Sequence, residues 1–192
     1  DSQESEKVEL FNMQKIPIEK TYTSDPLIYG DNVAVHYVFK NTRDAMFLSG
    51  KVRLYKMDKN GSIAFLGEDN IGFIPSGGEV KLYTGNIRDV KVERNVTSQR
   101  MINVRKDVWG NITVYDTDES YKATIKNHKK DPAKVIVVIH LNDLWENAES
   151  NKDFTKKDGN TIEFSIKVEP GKEENINLKV TGRNLTQGFI TS

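Results

Sequence analysis

Apolar and polar residues alternate along almost the whole chain, and the helical period is nearly absent. In "NVAVHYVFK" the alternation puts Val33, Val35, Tyr37 and Phe39 on one face. In "KVRLYKM" it sets Val52, Leu54 and Lys56 against Lys51, Arg53, Tyr55 and Met57. "GEVKLYTG", "RDVKVER", "GNITVYD", "SYKATIKN", "AKVIVVIHL", "TIEFSIKV" and "NINLKVTG" follow the same rule. These segments are short, rich in β-branched and aromatic residues, and bounded by Gly, Asn, Asp and Pro. That pattern predicts an all-β, Ig-like or fibronectin-like antiparallel β-sandwich of about 10 to 12 strands, not a βαβ fold. The 192 residues bury roughly 70% of their unfolded surface in such a fold, so no disulfide or metal is needed to complete the core.

The connections are partly legible. "MDKNGSIAFLG" reads as a hairpin turning at Asn60-Gly61, because both positions of a type I′ turn need positive φ. "SQRMINVRKDVWGNITVYD" reads as two long strands joined around Lys106 to Gly110. If 133–141 pairs with 119–127, "NHKKDP" is a hairpin turn. Residues 142–153, "NDLWENAESNKD", read as irregular or briefly helical, and residues 1–7 as frayed.

A weak internal repeat runs through the chain. "FKN" (Phe39-Lys40-Asn41) and "IKN" (Ile125-Lys126-Asn127) each lead through a polar turn into an alternating strand. "IPSGGEVKLYTG" and "EPGKEENINLKVTG" close the two copies with a turn, a glutamate, a strand and a glycine. Two consecutive sandwich units, 1–95 and 96–192, would explain this. So would one continuous domain in which common turn chemistry recurs.

The blocks "GKVRLYKMDKNGSIAFLGEDNI", "EVKLYTGNIRDVKVER", "YKATIKNHKKDPAKVIVVIHL" and "WENAES…FTKKDGNTIEFSIKVEPG" stand in this order over most of the chain. In them the chain resembles the C-terminal domain of unknown function of the mucoidy inhibitor A-like proteins of bacteria and archaea. The resemblance implies an all-β module ending a larger protein, with exported, periplasmic or cell-envelope location. It supplies no catalytic residues. The chain departs from the family pattern before Pro75, where Phe73-Ile74 replaces His-Thr, and at "FLSGKV".

Charge excludes some classes. There are 28 basic and 28 acidic residues, and neither half carries a one-signed excess, so no field draws nucleic acid or an anionic membrane. Absence of cysteine excludes thiol catalysis and Cys-ligated zinc. The longest apolar run, "VIVVI" at 135–139, is too short to span a bilayer. The expected partners are therefore a protein or the rest of the chain's own protein, with a glycan as the alternative, and without membrane insertion.

No catalytic constellation emerges: there is no nucleophile elbow, P-loop, dinucleotide fingerprint or HExxH. His128 and His140 are expected at opposite ends of a strand, roughly 20 Å apart, with His36 on a third strand, so the histidines build no metal site. Asp58, Asn60 and Ser62 look like the start of a calcium loop, but the strand-like "IAFLG" interrupts it. Asp116, Asp118 and Glu119 read as a bend between strand segments. "HKKD" reads as a solvated turn. No cofactor or metal is expected. The two tryptophans are the candidate ligand-binding residues: Trp109 in the "DVWG" turn and Trp145 in the irregular segment. Trp109 is expected exposed, and Trp145 is expected to plug the open end of the core.

Overall fold

In a computed structural model the described residues are 16–141 and 145–185. They form β1 (Glu19–Ser24), a single helical turn α1 (Pro26–Tyr29), β2 (Val33–Lys40), β3 (Gly50–Met57), β4 (Ile63–Ile71), β5 (Glu79–Ile87), β6 (Val90–Lys106), β7 (Ile112–Asn127), β8 (Ala133–His140), β9 (Asn147–Ser150), β10 (Phe154–Lys156), β11 (Thr161–Val168) and β12 (Glu173–Leu185). The fold is all-β, as the alternation requires. A six-stranded sheet, β10-β11-β8-β1-β2-β5, faces a four-stranded sheet, β6-β7-β12-β9, and β3-β4 stands as a separate hairpin. All pairings are antiparallel except β1 with β8, where Tyr22 lies beside Val135.

The core lies between the two large sheets. Alternate residues of β11 (Ile162, Phe164, Ile166, Val168) meet alternate residues of β12 (Ile176, Leu178, Val180) and β7 (Ala123, Ile125). β8 sits between β11 and β1, which explains its unbroken apolar run: Val135 and Val137 are fully buried, and Val138 on the other face is buried too. Each such side chain contributes about 1.5–3 kcal/mol on leaving water.

The division at residue 95/96 falls inside β6. The six-stranded sheet takes β1, β2 and β5 from one side of it and β8, β10 and β11 from the other, and Tyr22, Val33 and Val35 share one core cluster with Val135 and Phe164. The repeat is present as wiring. β1-β2-β5 and β6-β7-β12 have the same order, and Lys40 faces Glu79 as Lys126 faces Glu173.

Each copy also turns on a buried asparagine. Asn41 donates through Nδ2 to the carbonyls of Ala45, Ile74 and Pro75, and Asn127 to those of Asp131, Val168 and Glu169. Their Oδ1 atoms accept from Arg43 N and Lys129 N, both at 3.1 Å. Gly77 and Gly171, each at positive φ, donate to the carbonyls of the same two asparagines. The side chain thus saturates backbone groups where the chain leaves one sheet and cannot ladder them.

This device corrects one expectation. β7 pairs with β6 and β12, and β8 with β1 and β11 in the other sheet. "NHKKDP" is therefore a crossover between sheets, not a hairpin turn. Three further expectations change. The β3–β4 connection spans Asp58–Ser62, and only Gly61 has positive φ, because the Asp58 carboxylate accepts from Asn60 N and Ser62 N and closes a wider loop. Asp116, Asp118 and Glu119 lie within the continuous strand β7; the irregularities beside them are on β6 opposite, between Val96 and Ser98 and between Ile102 and Arg105. Residues 147–150 form the edge strand β9, while 142–144, like residues 1–7, lie outside the described residues.

Candidate functional site

β6 and β7 form the longest ladder of the molecule. Among the described residues β12 accompanies β7 only as far as Tyr115, opposite Leu185. Beyond that, among the described residues, the hairpin continues as a two-stranded arm of three residues a side, about 10 Å at ~3.3 Å per residue, and then its turn. Its tip is Asp107-Val108-Trp109-Gly110-Asn111.

Local chemistry fixes this tip. Asp107 Oδ1 accepts from Trp109 N at 2.9 Å and Asn111 N at 2.8 Å, and Asp107 Oδ2 accepts from Asn111 Nδ2 at 3.0 Å. Asp107 N donates to Asn111 O, and Gly110 N to Asp107 O. The Asn111 side-chain and backbone hydrogen bonds hold the Asp107 carboxyl below the usual carboxylate range. Gly110 takes φ +89°, a conformation that costs an L side chain about 1–2 kcal/mol. "DVWGN" and "DKNGS" make the same closed loop from the same acidic first residue and glycine fourth residue.

Among the described residues nothing covers the side chains between these anchors. Val108 is 90% exposed and Trp109 83% exposed. Met101 and Val104 on the adjoining strand are exposed as well. Ionic and polar bonds stiffen the arm's base: Arg100 and Lys179 flank Asp118, Gln99 donates to Glu119, Tyr121 donates to the same carboxylate, and Asn103 donates to Asp116. The three acidic residues are thus bound to donors of the chain itself. Among the described residues no group of three or more His, Cys, Asp or Glu is placed to hold a metal. β6 is also a sheet edge, but its bulges and the positive φ of Asn103 interrupt the flat row of backbone groups that strand addition needs.

Trp145 is placed differently. It is half-buried against the core, edge-on to Phe154 at 6.4 Å, with Lys156 Nζ 4.3 Å from its ring centroid. Its indole nitrogen is buried and has no hydrogen-bond partner among the described residues. The two tryptophans therefore do not form a common surface.

The histidines are separated. His128 is in the β7–β8 crossover and His140 ends β8. His140 Nε2 lies 2.8 Å from Asp25 Oδ1, and Nδ1 lies 3.4 Å from Thr161 Oγ1. Asp25 also caps α1 by accepting from Leu27 N, so the contact braces the end of β1 against β8. Sequence reasoning missed this pair because 115 residues separate its members. His36 is buried between the hydroxyls of Thr23 and Tyr29 and touches the rings of Tyr29 and Tyr83. Burial first, and then Lys81, pushes it down to about 4 against a smaller opposing pull from Asp69. It is a buried, neutral histidine at ordinary pH, on the face of β2 opposite Val33 and Val35.

No family model matches the chain, and neither a curated protein nor a solved structure matches it.

Proposed function

We propose that the chain is a non-catalytic interaction module whose contact is the tip of the β6–β7 arm. In this reading it is the C-terminal part of a larger, envelope-associated bacterial protein of the mucoidy inhibitor A-like kind, built from Ig-like units. The observation that carries the reading is Val108 and Trp109, exposed together on a turn whose backbone is already fixed by Asp107 and Gly110. A rigid, uncovered indole loses little conformational freedom on contact and buries a large area, which is why tryptophan dominates protein interfaces. The expected partner is a protein surface or another part of the same protein. A glycan is the second reading, favoured by the free face of the same indole.

The test uses the full-length protein's upstream part, expressed separately and titrated with this domain by calorimetry. The wild type is expected to bind. Trp109→Ala is expected to weaken binding at least thirtyfold, about 2 kcal/mol, with folding stability changed by less than about 0.5 kcal/mol. Binding that survives Trp109→Ala overturns the arm as the contact. A glycan array probed with the same two proteins separates the second reading: glycan capture lost on Trp109→Ala replaces the protein partner with a carbohydrate.

A further inference from the structure

A cleft of about 530 Å³ opens where the β3–β4 hairpin, the start of β1, β2 and the β7–β8 crossover meet. Its walls mix apolar and aromatic surface (Tyr22, Tyr37, Leu54, Tyr55) with the ammonium groups of Lys20, Lys56 and Lys129. Asp131 is the one carboxylate that the described residues contribute to the lining. None of the three lysines is within ion-pair distance of a carboxylate among the described residues. Lys20 and Lys129 stand instead over tyrosine rings. Lys20 Nζ is 5.6 Å from the Tyr22 centroid and 5.5 Å from that of Tyr37, and Lys129 Nζ is 4.7 Å from that of Tyr22. Both Lys20 and Lys129 thus lie near one ring, so their charges are within about 10 Å of each other, close to the screening length at 0.1 M salt. The Tyr22 hydroxyl is buried with no hydrogen-bond partner among the described residues, an unused polar group on a residue of the cleft wall.

We propose that this cleft binds a small organic anion: a phosphate or carboxylate carried on a ring or other apolar body. The lysines repel one another, and an anion between them removes that repulsion. Their charges are only weakly compensated by the ring faces, at about 0.5–1 kcal/mol per contact near the surface. The apolar walls require more than a bare ion, and the volume falls in the roughly 300–1,000 Å³ range of small-molecule sites. The segment that brings Lys129 to the cleft is "HKKDP", which alone in the sequence is only a polar turn. The asparagine-anchored crossover carries it across to β1 and the β3–β4 hairpin.

The probe is 8-anilinonaphthalene-1-sulfonate, followed by its fluorescence in titrations of the folded protein, beside its uncharged analogue N-phenyl-1-naphthylamine. The sulfonate is expected to bind at least tenfold more tightly than the uncharged dye. Lys56→Glu/Lys129→Glu is expected to weaken the sulfonate at least tenfold, while Lys130→Glu, in the same crossover but outside the cleft wall, leaves it unchanged. Circular dichroism checks that all variants are folded. Competition by phenyl phosphate and by benzoate then tells a phosphate ligand from a carboxylate one, by which displaces the dye at lower concentration. Equal binding of the two dyes, binding unaffected by the double charge reversal, or displacement by neither competitor overturns the proposal.

Discussion

Replacing Asn127 by alanine tests the crossover that organises the molecule. The amide is 1% exposed and donates two N–H groups among three carbonyls, at 2.9 Å to Asp131, 3.0 Å to Val168 and 3.3 Å to Glu169. Its Oδ1 accepts from Lys129 N at 3.1 Å. Two hydrogens cannot fully serve three acceptors, so the set counts as about three hydrogen bonds, each worth about 1 kcal/mol net. The backbone bonds of the same residue, Asn127 N to Lys172 O and Gly171 N to Asn127 O, survive the substitution. The expected loss is therefore about 3 kcal/mol. It appears in urea denaturation as a lower midpoint at unchanged slope, and in a thermal scan as a fall of roughly 6–12 °C for a chain of this size. Asn127→Asp keeps the shape and the Oδ1 acceptor but turns a carboxylate toward three carbonyls, and is expected to be less stable than the alanine variant. Asn41→Ala removes the matching set of bonds and is expected to cost the same within about 1 kcal/mol. An Asn127→Ala loss below about 1 kcal/mol, or an aspartate variant more stable than the alanine one, refutes the accounting.

Two further predictions concern buried chemistry and backbone strain. His36 has a folded-state value of about 4 against an ordinary 6.5, so the unfolded chain takes its proton first. Its contribution to stability is complete above pH 6.5 and is lost as pH falls toward 4, up to about 3 kcal/mol at 1.36 kcal/mol per unit. Urea midpoints of wild type and His36→Gln at pH 7, 5.5 and 4.5 are expected to converge as the pH drops; parallel profiles would count against the histidine. Gly110→Ala forces an L residue to φ +89° and is expected to cost about 1–2 kcal/mol, whereas Val108→Ala, beside it and almost wholly exposed, changes stability by less than about 0.5 kcal/mol. Equal urea midpoints for these two variants would show that the tip relaxes without strain.

The period-two pattern by itself determined that this chain makes strands. It also determined which face of β11 and β12 is buried, since Ile162, Phe164, Ile176 and Leu178 could face only a core. Turn chemistry was equally local: an acidic residue, two residues, then glycine closes "DVWGN" through bonds within five residues. It put Trp109 at an exposed tip before any partner strand was known. Which strand pairs with which was decided by tertiary structure, because any alternating segment can ladder with any other. "GNITVYD" and "SYKATIKN" merged into β7 once β6 and β12 offered partners along its length. β8 left β7 for the opposite sheet because Asn127 could satisfy the crossing backbone, and it then took a parallel neighbour in β1, more than a hundred residues earlier. The Asp25–His140 contact and the lysine-rimmed cleft exist only after that choice. Their residues come from segments far apart in the chain, brought together by the burial of a shared apolar face.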